Sequence, residues 1–152
     1  MKTLIVYASI HHGNTRRIVE KMAGPLRADL IDLTRGESPN PAGYGLIGLA
    51  SGVYFHGFHR AVRRYGETAP FRPGQRVFLA STCGAGHTDY SRRLRQTLER
   101  RGLAVLGSFQ CRGYDTYGIF GLLGGVAKGR PDEEDLRQAA LFARKMLQKA
   151  GQ

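Results

Sequence analysis

Val6-Tyr7-Ala8-Ser9-Ile10-His11-His12-Gly13-Asn14-Thr15 carries an apolar strand into a short loop of hydroxyl, amide and glycine residues, and then straight into a helix. The run from Leu4 to Ala8 is apolar without alternation, the pattern of a strand covered on both faces. Behind the loop, Ile18, Val19, Met22 and Ala23 recur at helical spacing. A helix that starts near Asn14 leaves its first N–H groups without intrahelical partners and carries the positive end of its dipole there. A dianion held by those amides and by Ser9, Asn14 and Thr15 is stabilised at such a point. A plain N-cap by Asn14 or Thr15, with no ligand, is the alternative reading.

What the loop lacks narrows the anion. It is not G-x-G-x-x-G and not G-x-x-x-x-G-K-[ST], which disfavours a dinucleotide pyrophosphate and a nucleoside triphosphate and leaves a monophosphate. Neither cysteine has an arginine six positions on, since Asp89 follows Cys83 and Tyr117 follows Cys111, so the loop of a cysteine phosphatase is missing. No aspartate closes the third strand, where Ala50-Ser51 stands, which argues against a phosphoacceptor domain.

The 152 residues, 41% of them apolar, are expected to form a single domain spanning 1–152 with a real core. There is no run of about 18 apolar residues for a membrane span. Lys2 leads directly into a strand pattern and not into a signal segment, so the expected location is cytoplasmic. Two cysteines are too few for a disulfide scaffold or a cysteine metal site, and both thiols are expected to be reduced. The formal net charge is +11. Much of it lies on Arg16, Arg17 and Lys21, on Arg60, Arg63 and Arg64, and on Arg92, Arg93, Arg95, Arg100 and Arg101, mostly opposite the apolar stripes. These are solvated faces on one reading, and on the other they steer an acidic partner or anionic substrate. Nucleic acid is disfavoured, because no aromatic sheet motif, zinc-finger spacing or basic tail accompanies the charge.

Four more apolar runs follow: Ala28 to Leu33, Tyr44 to Ala50, Arg76 to Ser81 and Leu103 to Phe109. Between the second and third strands, Gly36 to Gly43 can hold at most one helical turn. The helix after the third strand is expected to carry Phe58, Val62 and Tyr65. After the fourth, Thr88 or Asp89 can cap a helix bearing Tyr90, Leu94 and Leu98 that Gly102 stops. Asp132 caps the last helix, Glu133, Glu134 and Asp135 fill its first turn, and Leu136, Ala140, Ala143 and Leu147 are its expected buried stripe. Strands alternating with helices predict an α/β doubly wound parallel sheet with helices on both faces.

Ligands of such sheets bind beyond the carboxyl ends of the strands at the switch point. Three loops converge there: the phosphate loop, Ser51-Gly52-Val53-Tyr54-Phe55, and Thr82-Cys83-Gly84-Ala85-Gly86-His87. Tyr54 and Phe55 can stack on a flat conjugated ring. Gly52 can let the main chain approach a ring edge and take up positive φ, while Gly84 and Gly86 expose backbone groups opposite. Ordinary helix-start packing is the alternative for the two aromatics. Joined to a monophosphate loop, they favour flavin mononucleotide, FMN.

These residues resemble the flavodoxin family over essentially the whole chain. Tyr7-Ala8-Ser9 to Gly13-Asn14-Thr15 is similar to its phosphate loop, Gly48 to Phe55 to its first ring loop, and Ser81-Thr82-Cys83-Gly84 to its second. Cys111-Arg112-Gly113-Tyr114-Asp115-Thr116-Tyr117-Gly118, Gly124-Gly125 and Lys128-Gly129-Arg130-Pro131 resemble a prokaryotic flavodoxin-like group. The resemblance implies a flavodoxin-like five-stranded sheet in order 2-1-3-4-5, bound FMN and a redox role. It implies cofactor contacts from Ser9, His11, His12, Gly13, Asn14, Thr15, Ser51, Gly52, Val53, Tyr54, Phe55, Thr82, Cys83, Gly84 and Gly86.

The chain departs from the family in three places. The phosphate loop is one residue longer, with His11-His12 where hydroxyl residues are usual, the surface is basic where typical flavodoxins are acidic, and residues 118–129 form a glycine-rich apolar segment. The leading expectation is a small FMN electron carrier serving a redox partner protein, an acidic one among the candidates, with the Gly52 carbonyl accepting a hydrogen bond from the reduced ring. The alternatives are an FMN oxidoreductase acting on a quinone, a nitro compound or a small anionic substrate, and a flavin-free binding module. A protoporphyrinogen oxidase of this fold would need an insertion near strand four that is missing.

Overall fold

The computed structural model describes residues 1–10, 12–85, 88–114, 125 and 127–152. Along the chain run β1 (Thr3–Ala8), α1 (Asn14–Leu26), β2 (Asp29–Asp32), β3 (Leu46–Tyr54), β4 (Gly57–Phe58), α2 (Arg60–Thr68), β5 (Arg76–Cys83), α3 (Arg92–Arg100), β6 (Ala104–Arg112) and α4 (Glu133–Ala150). Five strands lie parallel in the order β2-β1-β3-β5-β6, and β4 pairs antiparallel with the end of β3. Without the two-residue β4, this is the expected 2-1-3-4-5 order. The short link between β2 and β3 holds only the turns Leu33–Arg35 and Pro41–Gly43.

Alternation along the strands explains the two layers. Leu4, Val6, Ile47, Leu49, Val77 and Leu79 face one way and meet Val62 and Tyr65 of α2 and Leu94 and Leu98 of α3. Ile5, Tyr7, Leu46, Ala50, Phe78 and Ala80 face the other and meet Ile18, Val19 and Met22 of α1 and Ala139, Ala143 and Met146 of α4. Both faces of β1 are therefore covered, and none of its residues exceeds 8% exposure. The helices are thus doubly wound about the sheet. Among the described residues no helix is long and apolar enough to cross a membrane.

Some expectations shift. Phe58 belongs to β4 and not to a helix, and Tyr90 precedes α3, whose approach is held by the Asp89 carboxylate accepting from the Ser91 N–H at 3.0 Å. The buried stripe of α4 runs through Ala139, Ala143, Met146 and Ala150. Small side chains let this helix approach closely, and Leu136, Phe142 and Leu147 pack from its flanks. β3 continues past Ala50 to Tyr54 because β4 folds back to pair with it. Asp132 is the expected cap, and the structure adds a reciprocal capping box with Asp135.

Candidate functional site

At the carboxyl edge of β1, β3 and β5, where the strand order reverses, a cleft is lined by Ser9, Asn14, Thr15, Gly52, Val53, Tyr54, Thr82, Cys83 and Gly84 from the three expected loops. Its walls lie close, leaving about 30 Å³. That is room for about one water. His11 and Gly86 lie outside the described residues, as do 115–124 and 126 of the glycine-rich segment.

The start of α1 forms the floor. Gly13 is its N-cap in the left-handed region, with no side-chain cap bond, and the first turn has no acidic residue. Ser9 Oγ accepts from the Arg16 N–H at 3.0 Å. Among the described residues the N–H groups of Asn14 and Thr15 have no partner. The contrast is with α4, whose capping box and acidic first turn supply acceptors and negative charge. Thr15 is buried and its hydroxyl bonds that of Thr82 at 2.9 Å, tying the helix to the end of β5. Asn14 is 8% exposed and its side-chain amide donates to the Tyr114 carbonyl at 2.7 Å.

That bond exposes a wall missing from the expected site residues. Gly113 and Tyr114, just after β6, lie against the phosphate loop at Asn14, and Arg112 ends the strand beside them. The Gly113 N–H donates to the Cys83 carbonyl at 2.9 Å, and the Arg112 Nε donates to the Gly84 carbonyl at 2.8 Å. His12 is also left-handed, and its ring lies 4.4 Å from that of Tyr114. A Cβ on Gly113 would stand 2.6 Å from Asn14 Nδ2, so only glycine permits this approach. Gly113, Tyr114 and Ile10 complete the cleft lining. The available signal was position: a glycine and an aromatic directly after the last strand, on the ligand-bearing edge.

The ring loop is a β-hairpin. Val53 pairs with Phe58 and Tyr54 with Gly57, and the two residues between, Phe55 and His56, both have positive φ, 51° and 68°. A two-residue turn with that backbone usually carries Asn-Gly or a similar pair. Here the turn holds an aromatic and a histidine in the left-handed region, and Phe55 is 84% exposed. Gly52 keeps a negative or extended φ, contrary to the expected positive value. A Cβ there would stand 2.9 Å from the Tyr54 hydroxyl, so a side chain at this position would require the Tyr54 ring to shift.

Ser51 is fully buried. It donates to the Gly52 carbonyl at 2.5 Å and accepts from the His59 N–H at 2.8 Å, so it positions the hairpin return. A reduced ring bonding to the Gly52 carbonyl would share it with Ser51. His59 Nδ1 accepts from the Ala61 N–H at 2.9 Å. Burial, with Arg63 nearby, lowers the pKa of His59, which favours a neutral ring with its proton on Nε2. Cys83 and Cys111 form no disulfide.

A family model described as Flavodoxin domain matches residues 4–119. An uncharacterized protein of Methanocaldococcus jannaschii is 37% identical over 149 residues, 97% of this chain and 99% of that one. The fold is similar to that of oxidised Flavodoxin 2 from Bacillus cereus, with TM-score 0.74 and 18% identity over 98% of this chain and 99% of that one. It is also similar to a flavoprotein from Lactobacillus acidophilus in complex with FMN, with TM-score 0.56 and 18% identity over 72% of this chain and 92% of that one.

Proposed function

The chain belongs to the flavodoxin family, and from that premise we propose that it binds FMN in this cleft and works as a small electron carrier. The observation that carries the reading is the start of α1. It is a left-handed glycine cap without a side-chain acceptor, with two amides unpartnered among the described residues and the donors of Asn14 and Thr15 beside them. This is the chemistry of an anion site. FMN's phosphate fits its donor set, and the aromatic hairpin tip stands beside it for the ring. FMN, when bound, supplies the electron chemistry.

The protein's own part is to hold and shield the cofactor. Asn14 and Thr15, now bonded to Tyr114 and Thr82, would hold the phosphate at the start of α1. Tyr54 and Phe55 cover the ring, and Ser51 fixes the hairpin that carries them. The charge of +11 favours a redox partner with an acidic docking face. The test is the visible spectrum and flavin content of the purified protein. A steady-state comparison then sets reduction by a ferredoxin reductase against NAD(P)H oxidation with quinones. One FMN per chain reduced by the reductase, without quinone turnover, is the expected result; a colourless protein that does not take up FMN refutes the cofactor, and rapid quinone turnover refutes the carrier.

A further inference from the structure

A second concavity lies beside the cleft, between the β3–β4 hairpin and the starts of α2 and α3. Its volume is about 630 Å³, within the usual range for small-molecule sites. Buried Phe58 and Leu94 contribute apolar surface, and Tyr54, Phe55 and Tyr90 add aromatic faces. Three arginines, Arg60, Arg63 and Arg93, line it, and no carboxylate does among the described residues.

The placement of these cations works against the fold. Arg60 opens α2 and Arg93 lies in the first turn of α3, where the positive end of each helix dipole disfavours a cation. Neither helix has an acidic residue in its first turn to compensate. None of the three arginines is in an ion pair among the described residues, although Arg95 nearby is held by Asp89. Arg63 is oriented by its Nε donating to the Phe58 carbonyl at 3.0 Å, which leaves its two terminal nitrogens to meet a ligand. Two helix N-termini and three guanidiniums thus surround an apolar pocket. Each feature alone is ordinary, and their convergence on one cavity selects a ligand.

We propose that this groove binds a small organic anion with an apolar, aromatic body, one end held by Arg60, Arg63 and Arg93 and the other against Phe58, Leu94 and the hairpin aromatics. A solvated inorganic anion would leave the apolar wall wet, and a neutral hydrocarbon would leave three cations unpaired. An aromatic carboxylate, sulfonate or phosphate satisfies both. Ile10 and Tyr54 line this groove as well as the cleft, so the ligand sits next to the proposed flavin. The three arginines, Phe58 and Leu94 line the groove and not the cleft.

The probe is 1-anilinonaphthalene-8-sulfonate, titrated by fluorescence quenching of the protein tyrosines and by equilibrium dialysis, with and without added FMN. Wild type should bind one equivalent, and Arg60→Gln/Arg93→Gln should weaken binding at least tenfold. That variant removes cations from helix N-termini, so its melting temperature should not fall. The neutral analogue N-phenyl-1-naphthylamine should bind wild type at least tenfold more weakly than the sulfonate and be indifferent to the substitutions. Arg144→Gln/Lys145→Gln, on α4 across the sheet, should leave sulfonate binding within twofold of wild type. Equal sulfonate affinity in Arg60→Gln/Arg93→Gln and wild type, equal loss in the α4 variant, or equal binding of the neutral analogue each overturns the proposal. Flavin content, read separately by absorbance, keeps a failure of this site distinct from a failure of FMN binding.

Discussion

Asn14→Asp replaces a nearly buried amide donor by a carboxylate of the same size at the proposed phosphate contact. Two effects add. The donor to phosphate is lost, worth about 1.5–3 kcal/mol for a charged acceptor. A carboxylate at ~4 Å from the phosphate is then repelled by about 4 kcal/mol per unit charge at an effective dielectric of about 20, less where solvent screens it. Even after generous screening, FMN affinity should fall at least a hundredfold, about 2.7 kcal/mol. Asn14→Ala, which removes only the donor, should cost about tenfold to a hundredfold.

Riboflavin supplies the internal control, because it has the ring and lacks the phosphate. Its affinity should stay within about threefold in both variants. The assay is quenching of flavin fluorescence on titration with apoprotein. The bond from Asn14 to Tyr114 is also lost, so urea unfolding should show a decrease of about 0.5–1.5 kcal/mol in the alanine variant. Unchanged FMN affinity in Asn14→Asp would refute the phosphate assignment. Parallel losses for FMN and riboflavin would show that Asn14 acts only by holding Tyr114 in place.

Phe55→Asn/His56→Gly gives the left-handed turn residues that tolerate it. It should stabilise the fold by about 1 kcal/mol while weakening flavin binding and relieving fluorescence quenching; a thermal melt and a flavin titration check both signs. The Asp135 carboxylate is held below the usual carboxylate range, first by its hydrogen bonds from Arg130 and then by the Asp132 N–H, against the opposing effect of burial. Its contribution is therefore complete above the unfolded pKa of about 4 and is lost as pH falls through the lowered folded value. Asp135→Asn should cost about 1–3 kcal/mol at pH 7 and flatten the acid limb of a stability–pH curve; an acid limb as steep as wild type counts against it. Burial pushes the Cys111 thiol up to about 12, so at neutral pH it should alkylate at least tenfold more slowly in the native protein than in the unfolded chain, as mass spectrometry of iodoacetamide-treated samples can show.

The sheet and the position of the cleft were legible in the residues themselves. Unbroken apolar runs such as Leu4–Ala8 and Val77–Ala80 require cover on both faces, helical spacing between them supplies it, and parallel right-handed crossovers leave few topologies. Asn14 and Thr15 at the first strand-to-helix junction followed from the same local logic. Other features depended on contacts between distant parts of the chain. β4 is two residues long and its turn lacks the Asn-Gly signal, so no periodicity marks it; only pairing with Val53 and Tyr54 makes it a strand. The stripe of α4 turned toward alanines because close packing against α1 and the sheet favours small residues, a demand that hydrophobicity alone does not express. Tyr114 meets Asn14 across 100 residues, and Arg60, Arg63 and Arg93 share a groove only because α2 and α3 pack side by side on one face of the sheet. Side-chain periodicity is set by each residue's near neighbours, so sequence determined the five parallel strands, the helices and the edge that carries the cleft. Which walls close that edge depends on how elements far apart in the chain are brought together, and only the tertiary structure decided it.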